Sequence, residues 1–220
     1  PFFEGMAKEF HDVEIFYSRY YDYNSFQLAL TEITRPEFKS SIIYIAGHGD
    51  GKTVSGANIK KIFKDCSIKS RKINATGVVI GSCFSAGTAK SPLDGEIASM
   101  IHDSQLSWAA AYTCASNWFV STMIDCALIR QMIRATARKL SCKESIAAEL
   151  AAAISPFSPT HELGGDSVES DSDENPVQLR DGLVFFAQSD GQGYKAQEIT
   201  DEVWVKWREW QLEEIGQPEE

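Results

Sequence analysis

Short apolar runs alternate with amphipathic stretches along most of the chain. Ser41–Ala46 (SIIYIA), Gly77–Gly81 (GVVIG), Trp108–Tyr112 (WAAAY) and Leu183–Ala187 (LVFFA) are almost continuously apolar. Runs of that length without polar alternation predict strands buried on both faces of a parallel sheet. Val13–Tyr17 (VEIFY) is a further strand candidate ahead of them. Helical spacing fills the intervals. Asn24 caps a predicted helix to Thr34, with Phe26, Leu30 and Ile33 on one face and Pro36 as its stop. Residues 57–64 predict a short helix. Ser91-Pro92 reads as a cap and first helical residue, with Ile97, Met100 and Ile101 behind it. A long helix is predicted from Trp118 to Lys139, its apolar face formed by Val120, Met123, Ile124, Ala127 and Leu128. Ser141-Cys142-Lys143-Glu144 fits a capping box opening an Ala-rich helix that ends before Pro156, and Thr200 caps a final helix. Strands alternating with helices predict an α/β fold with a mostly parallel central sheet.

Composition adds constraints. At 220 residues, with 43% hydrophobic and 24% charged residues, the chain can bury a sizeable core as a single domain. No apolar run reaches the roughly 18 residues that span a bilayer, so no membrane partner is expected. The net charge of −10 is uneven: residues 1–160 carry a net +2 and residues 161–220 a net −12. That balance argues against direct nucleic-acid contact, which needs a basic face. Five cysteines (66, 83, 114, 126, 142) at irregular spacing, without a CxxC pair, suit neither a disulfide framework nor a zinc site. They predict a reducing, cytoplasmic setting with no metal or other cofactor. Four of them, all but Cys83, read as structural. Residues 162–176 (ELGGDSVESDSDENP) hold six acids and no base, which predicts a flexible acidic loop. The chain starts at Pro1 rather than Met, which predicts a fragment of a larger protein.

Candidate chemistry sits where two predicted strands end. One runs into Ala46-Gly47-His48-Gly49, the other into Gly81-Ser82-Cys83-Phe84-Ser85-Ala86-Gly87. Ligands of open α/β sheets bind beyond the carboxyl ends of strands. The 35 residues from His48 to Cys83 suffice for one crossover, so the two strands can be parallel neighbours. A thiol is intrinsically a strong nucleophile, and an imidazole can take its proton and return it to a leaving amine. Backbone N–H groups of Gly49 and Cys83 could converge on an oxyanion.

These motifs resemble those of the caspase-like cysteine peptidases. The likeness is greatest to bacterial CHAT domains, with metacaspases, separases and legumains more distant. The resemblance covers about residues 10–120 and is specific at AGHG and GSCFSAG. It implies a caspase–hemoglobinase-like three-layer sandwich, a Cys83–His48 dyad, an oxyanion hole of the Gly49 and Cys83 amides, and substrate contacts from Asp50, Ser82, Ala115 and Ser116. It implies a cysteine endopeptidase acting on a protein substrate and gated by an N-terminal sensor domain or an activating partner. Two features depart from the pattern. Only residues 1–11 precede the Val13 strand, where the family has a further strand and helix. The caspase QACRG motif and the metacaspase Asp before the nucleophile are both absent. None of the residues implied around the primary pocket is basic, which disfavours Asp at P1.

Three other readings compete. Ala46–Thr53 (AGHGDGKT) fits a loose phosphate-loop pattern with Lys52 as the phosphate ligand, which would make residues 46–53 a nucleotide site. Ser85 lies close to a G-x-S-x-G setting, with His102 or His161 as base. The domain could also be a catalytically dead peptidase fold kept for interaction, with Trp204, Trp207 and Trp210 as a stripe that docks on the domain's own core or on a partner.

Overall fold

The computed structural model describes residues 2–35, 38–166, 176–189 and 195–215. In chain order its main elements are α1 (Phe2–Glu9), α2 (Tyr23–Ile33), β1 (Ser41–Ala46), α3 (Ile59–Ser70), β2 (Ala75–Gly81), α4 (Asp94–His102), β3 (Trp108–Tyr112), α5 (Trp118–Met132), α6 (Lys143–Ile154), β4 (Leu183–Ala187), β5 (Gln197–Glu198) and α7 (Thr200–Ile215). The five strands form one sheet in the order β1-β2-β3-β4-β5. β1, β2 and β3 are parallel, whereas β4 runs antiparallel to β3 and β5 to β4. The four predicted apolar strands are thus all present and adjacent.

Alternate side chains of each strand feed two cores. Ile43, Ile45, Val78, Ile80, Ala109 and Ala111 pack with Phe26 and Leu30 of α2, Ile62 and Phe63 of α3, and Ile97 and Ile101 of α4. Val79, Trp108, Ala110, Tyr112 and Phe185 pack with Ile124 and Leu128 of α5, Ile146 and Leu150 of α6, and Val203 of α7. The result is a sheet between two helical layers, and both faces are buried, as the run-like apolar strands require. Trp204 and Trp207 pack on the second core, so this part of the tryptophan stripe docks on the domain itself. Among the described residues no helix is long and apolar enough to cross a membrane.

Several local expectations give way. Val13–Tyr17 is not a strand: β1 is the edge of the sheet, and Phe16 and Tyr17 are 43% and 75% exposed. β-propensity without a ladder partner does not make a strand. α2 starts from Asp22 rather than Asn24, through a reciprocal box in which the Asp22 carboxylate accepts the Ser25 N–H and the Ser25 hydroxyl accepts the Asp22 N–H. Ser91-Pro92 pairs with Gly87–Thr88 as a short ribbon, and α4 begins only at Asp94. α5 ends at Met132, not Lys139, because the chain turns at Thr136 to bury Leu140. The inward face of α5 is also rotated: Ser121, Thr122, Ile124, Asp125 and Leu128 are buried, while Met123 is 41% exposed. α6 has Cys142 as its N-cap, without a side-chain capping bond. Thr200 is the first residue of α7, and its hydroxyl accepts the Phe185 N–H at 3.0 Å. The acidic stretch is not a loop at its ends. Glu162–Gly165 and Pro176–Gln178 pair as strands, with Glu162–Gly165 also pairing with Ala115–Ser116. Residues 167–175 lie outside the described part.

Candidate active site

β1 and β2 run side by side in parallel and end in register, Ala46 opposite Gly81. Gly47-His48-Gly49 and Ser82-Cys83 therefore leave the sheet at the same edge. Gly49 lies flat against the second segment: a Cβ there would run into the Cys83 carbonyl oxygen and the Ser82 hydroxyl. Only glycine permits this approach.

The turn that carries Cys83 is tightly held. Ser85 N–H donates to Ser82 O, Gly87 N–H to Phe84 O, and Phe84 N–H to Cys114 O at 3.1 Å. Phe84 is buried with φ of +53°, a left-handed conformation rare for an aromatic residue. Backbone strain of this kind collects at functional turns. Ser85 is fully buried: its hydroxyl donates to Ile80 O at 2.8 Å and accepts Tyr112 N–H at 2.9 Å. It is a strut under the turn, which leaves the serine-nucleophile reading without support.

Among the described residues no acceptor is found for the backbone N–H groups of Gly49 and Cys83, nor for that of His48. Gly49 sits opposite Val54 in an antiparallel bridge whose hydrogen bonds are Ser55 N–H to His48 O and Asp50 N–H to Thr53 O. In that pattern the Gly49 N–H points out of the ribbon. Cys83 N–H likewise has no acceptor, although the amides of Ser82, Phe84 and Ser85 all do. The two amides expected at an oxyanion are thus both unoccupied, as is that of His48 beside them.

The Cys83 thiol is half-buried, 3.9 Å from both the carbonyl oxygen and the hydroxyl of Ser116. His48 is exposed, and among the described residues no hydrogen bond joins its imidazole to Cys83. The backbone brings the pair to one edge without closing it. The other cysteines differ: burial pushes the Cys66 and Cys114 thiols up to about 12 and that of Cys126 up to about 11. Each is therefore a poor source of thiolate.

Of the expected substrate contacts, Ser82 and Ser116 adjoin Cys83, and Ala115 precedes Ser116 on the same short strand. The Ser82 hydroxyl is buried and has no partner among the described residues. Asp50 is engaged by its own turn. Its carboxylate accepts the N–H groups of Lys52 and Thr53 and the Thr53 hydroxyl, at 2.8, 2.6 and 3.1 Å. Partial burial raises its pKa, but these hydrogen bonds more than offset that and hold it below the usual range. The same bonds bear on the phosphate-loop reading. Asp50 occupies the amides that would face a phosphate. Lys52 is followed by the hairpin Thr53–Val54/Ala57–Asn58, and α3 starts only at Ile59. A phosphate loop needs its helix at once.

One charged group close to the site was not anticipated. Asp125 of α5 is 1% exposed and lies against Gly81. It accepts the Tyr112 hydroxyl at 2.7 Å and the Tyr44 hydroxyl at 3.1 Å, which ties β1, β3 and α5 together beneath the Cys83 turn. Burial raises its pKa from 3.8 to about 7, against the lowering effect of the two tyrosines. An acid within the apolar face Val120–Leu128 was the available sequence signal.

The sign of this shift makes a prediction. The folded protein holds the Asp125 proton more tightly than the unfolded chain between pH 3.8 and about 7. The group's contribution to stability is therefore complete below pH 3.8 and is lost as pH rises to about 7. Asp125→Asn has no such loss. Its stability relative to wild type should improve from pH 4.5 to about 7 and level off above that in urea unfolding, and a difference that stays flat across the whole range would contradict the assignment.

Fold and site together define a class: a mainly parallel α/β sheet whose adjacent strand ends present a cysteine turn, a histidine loop and two unpaired amides. No family model, curated protein or solved structure matches the chain.

Proposed function

We propose that the chain is a caspase-like cysteine endopeptidase domain, built as a caspase–hemoglobinase-like three-layer sandwich. The observation that carries the proposal is the pair of unpaired amides, Gly49 and Cys83, beside a half-buried thiol at the ends of two parallel strands. Cys83 attacks the scissile carbonyl. His48 takes the thiol proton and delivers it to the leaving amine. The Gly49 and Cys83 amides receive the oxyanion. The resemblance of AGHG and GSCFSAG to the caspase-like motifs supports the same roles.

Apo active sites are often loose and tighten when the substrate binds. The unbonded His48 imidazole agrees with gating by a sensor domain or activating partner, which would bring it onto Cys83. Alkylation with iodoacetamide followed by peptide mapping tests the reading. Cys83 should be modified much faster than Cys66, Cys114 or Cys126, and His48→Ala should slow its modification. Equal slow labelling of all five cysteines would remove the basis for the mechanism.

A further inference from the structure

We infer that the protein substrate carries a bulky apolar side chain within about three residues of the scissile bond, received by Trp118 and Phe119 at the start of α5. The inference rests on the peptidase reading and specifies the substrate class of that same site.

The geometry begins at Ser116. Asn117 N–H donates to Leu163 O, so the hydrogen-bonded pairs of the Ala115–Ser116/Glu162–Gly165 ribbon fall at 117–163 and 115–165. Alternation then directs the Ser116 N–H and C=O away from Glu162–Gly165. The Ser116 carbonyl is the one 3.9 Å from the Cys83 thiol, which places this free edge on the nucleophile's side. An extended substrate segment lying across Cys83 has Ser116 as its main-chain partner, in the manner of strand addition.

Trp118 follows two residues later, within about 7 Å of chain from Ser116. It is 74% exposed and Phe119 is 62% exposed, with Met123 one turn further along at 41%. Hydrogen bonds hold the backbone that carries this apolar group. The Asn117 side chain accepts the Phe119 and Val120 N–H groups, and Thr122 and Ser121 hydroxyls tie back to Trp118 O and Asn117 O. The Phe2 ring supports Phe119 edge-on at a centroid distance of 6.1 Å. Inward packing of α5 does not need these side chains, because Ser121, Thr122, Ile124, Asp125 and Leu128 supply it. Two aromatic rings and a thioether left in water beside a free strand edge form an apolar patch, and such patches mark binding sites. The adjoining substrate residue is the occupant that their position allows.

The test is a set of quenched fluorescent peptides of one sequence, with Ala, Leu, Phe or Trp placed singly at the three positions on each side of the scissile bond. Wild type should cleave the best Leu, Phe or Trp peptide at least 10-fold faster in kcat/KM than its Ala counterpart, in line with burial of one large side chain. In Trp118→Ala/Phe119→Ala that advantage should fall below about 3-fold. The circular dichroism spectrum and the alkylation of Cys83 should stay as in wild type, which shows that the double variant is folded. Cleavage by wild type with no apolar preference, or with the same preference in the double variant, overturns this inference alone. No cleavage of any peptide, together with no selective alkylation of Cys83, overturns the peptidase reading and this inference with it. Where Cys83 alkylates selectively but no peptide is cut, the same peptides are compared by fluorescence polarisation on Cys83→Ala. Binding that does not favour the bulky apolar residue overturns the inference.

Discussion

Cys83→Ala should abolish cleavage of a protein substrate, with kcat/KM lowered by about 10³-fold or more, and His48→Ala should lower it by a comparable factor. Neither change should unfold the domain. Cys83 is half-buried, and among the described residues its thiol makes polar contact only with Ser116, at 3.9 Å from the carbonyl oxygen and the hydroxyl. His48 is exposed, so its removal opens no cavity. The double variant should be about as inactive as either single variant, because the two groups act on one proton. Cleavage assays paired with circular dichroism separate loss of chemistry from loss of fold. Wild-type cleavage by folded Cys83→Ala would falsify the mechanism.

Gly77→Ala should produce a large loss of stability from a single methyl group. Gly77 of β2 pairs with Trp108 of β3, and the fully buried indole lies directly over it. A Cβ at residue 77 would fall within the Cε2, Nε1 and Cζ2 atoms of that ring. The ring has nowhere to retreat, since it fills the core between β3, α5 and α6. Overpacking of this kind costs about 3 kcal/mol, or roughly 6–12 °C in Tm for a domain of this size. Thermal unfolding measures the shift. The cost should be much smaller in a Trp108→Leu background, and equal costs in both backgrounds would locate the strain elsewhere.

The sheet was legible because its information is local. Ser41–Ala46, Gly77–Gly81, Trp108–Tyr112 and Leu183–Ala187 are apolar on both faces, and such runs must be sandwiched wherever they lie. Val13–Tyr17 has the same local propensity, yet pairing depends on a neighbour that the sheet does not provide. Element ends followed the same division. The Asp22–Ser25 box and the turn that buries Leu140 depend on competing partners rather than on the nearest good capping residue.

The candidate site divides in a similar way. Placement of His48 and Cys83 at neighbouring strand ends followed from the two apolar runs and from the 35 residues between them. The direction of each side chain did not, because orientation at a strand end depends on contacts made by distant segments. Asp50 looks available in the sequence, but its own turn occupies it. Ser85 looks like a nucleophile, but it braces Ile80 and Tyr112. The sequence by itself determined an α/β sheet and a thiol and imidazole at one edge of it, because apolar periodicity and chain length constrain strand burial and reach. Only the tertiary structure decided which amides stay unpaired, that Asp125 lies buried under the Cys83 turn, and that Glu162–Gly165 covers one side of Ser116 and leaves the other to Cys83. Each of these is a pairing between segments far apart in the chain, and a hydrogen-bond partner is chosen by proximity in space.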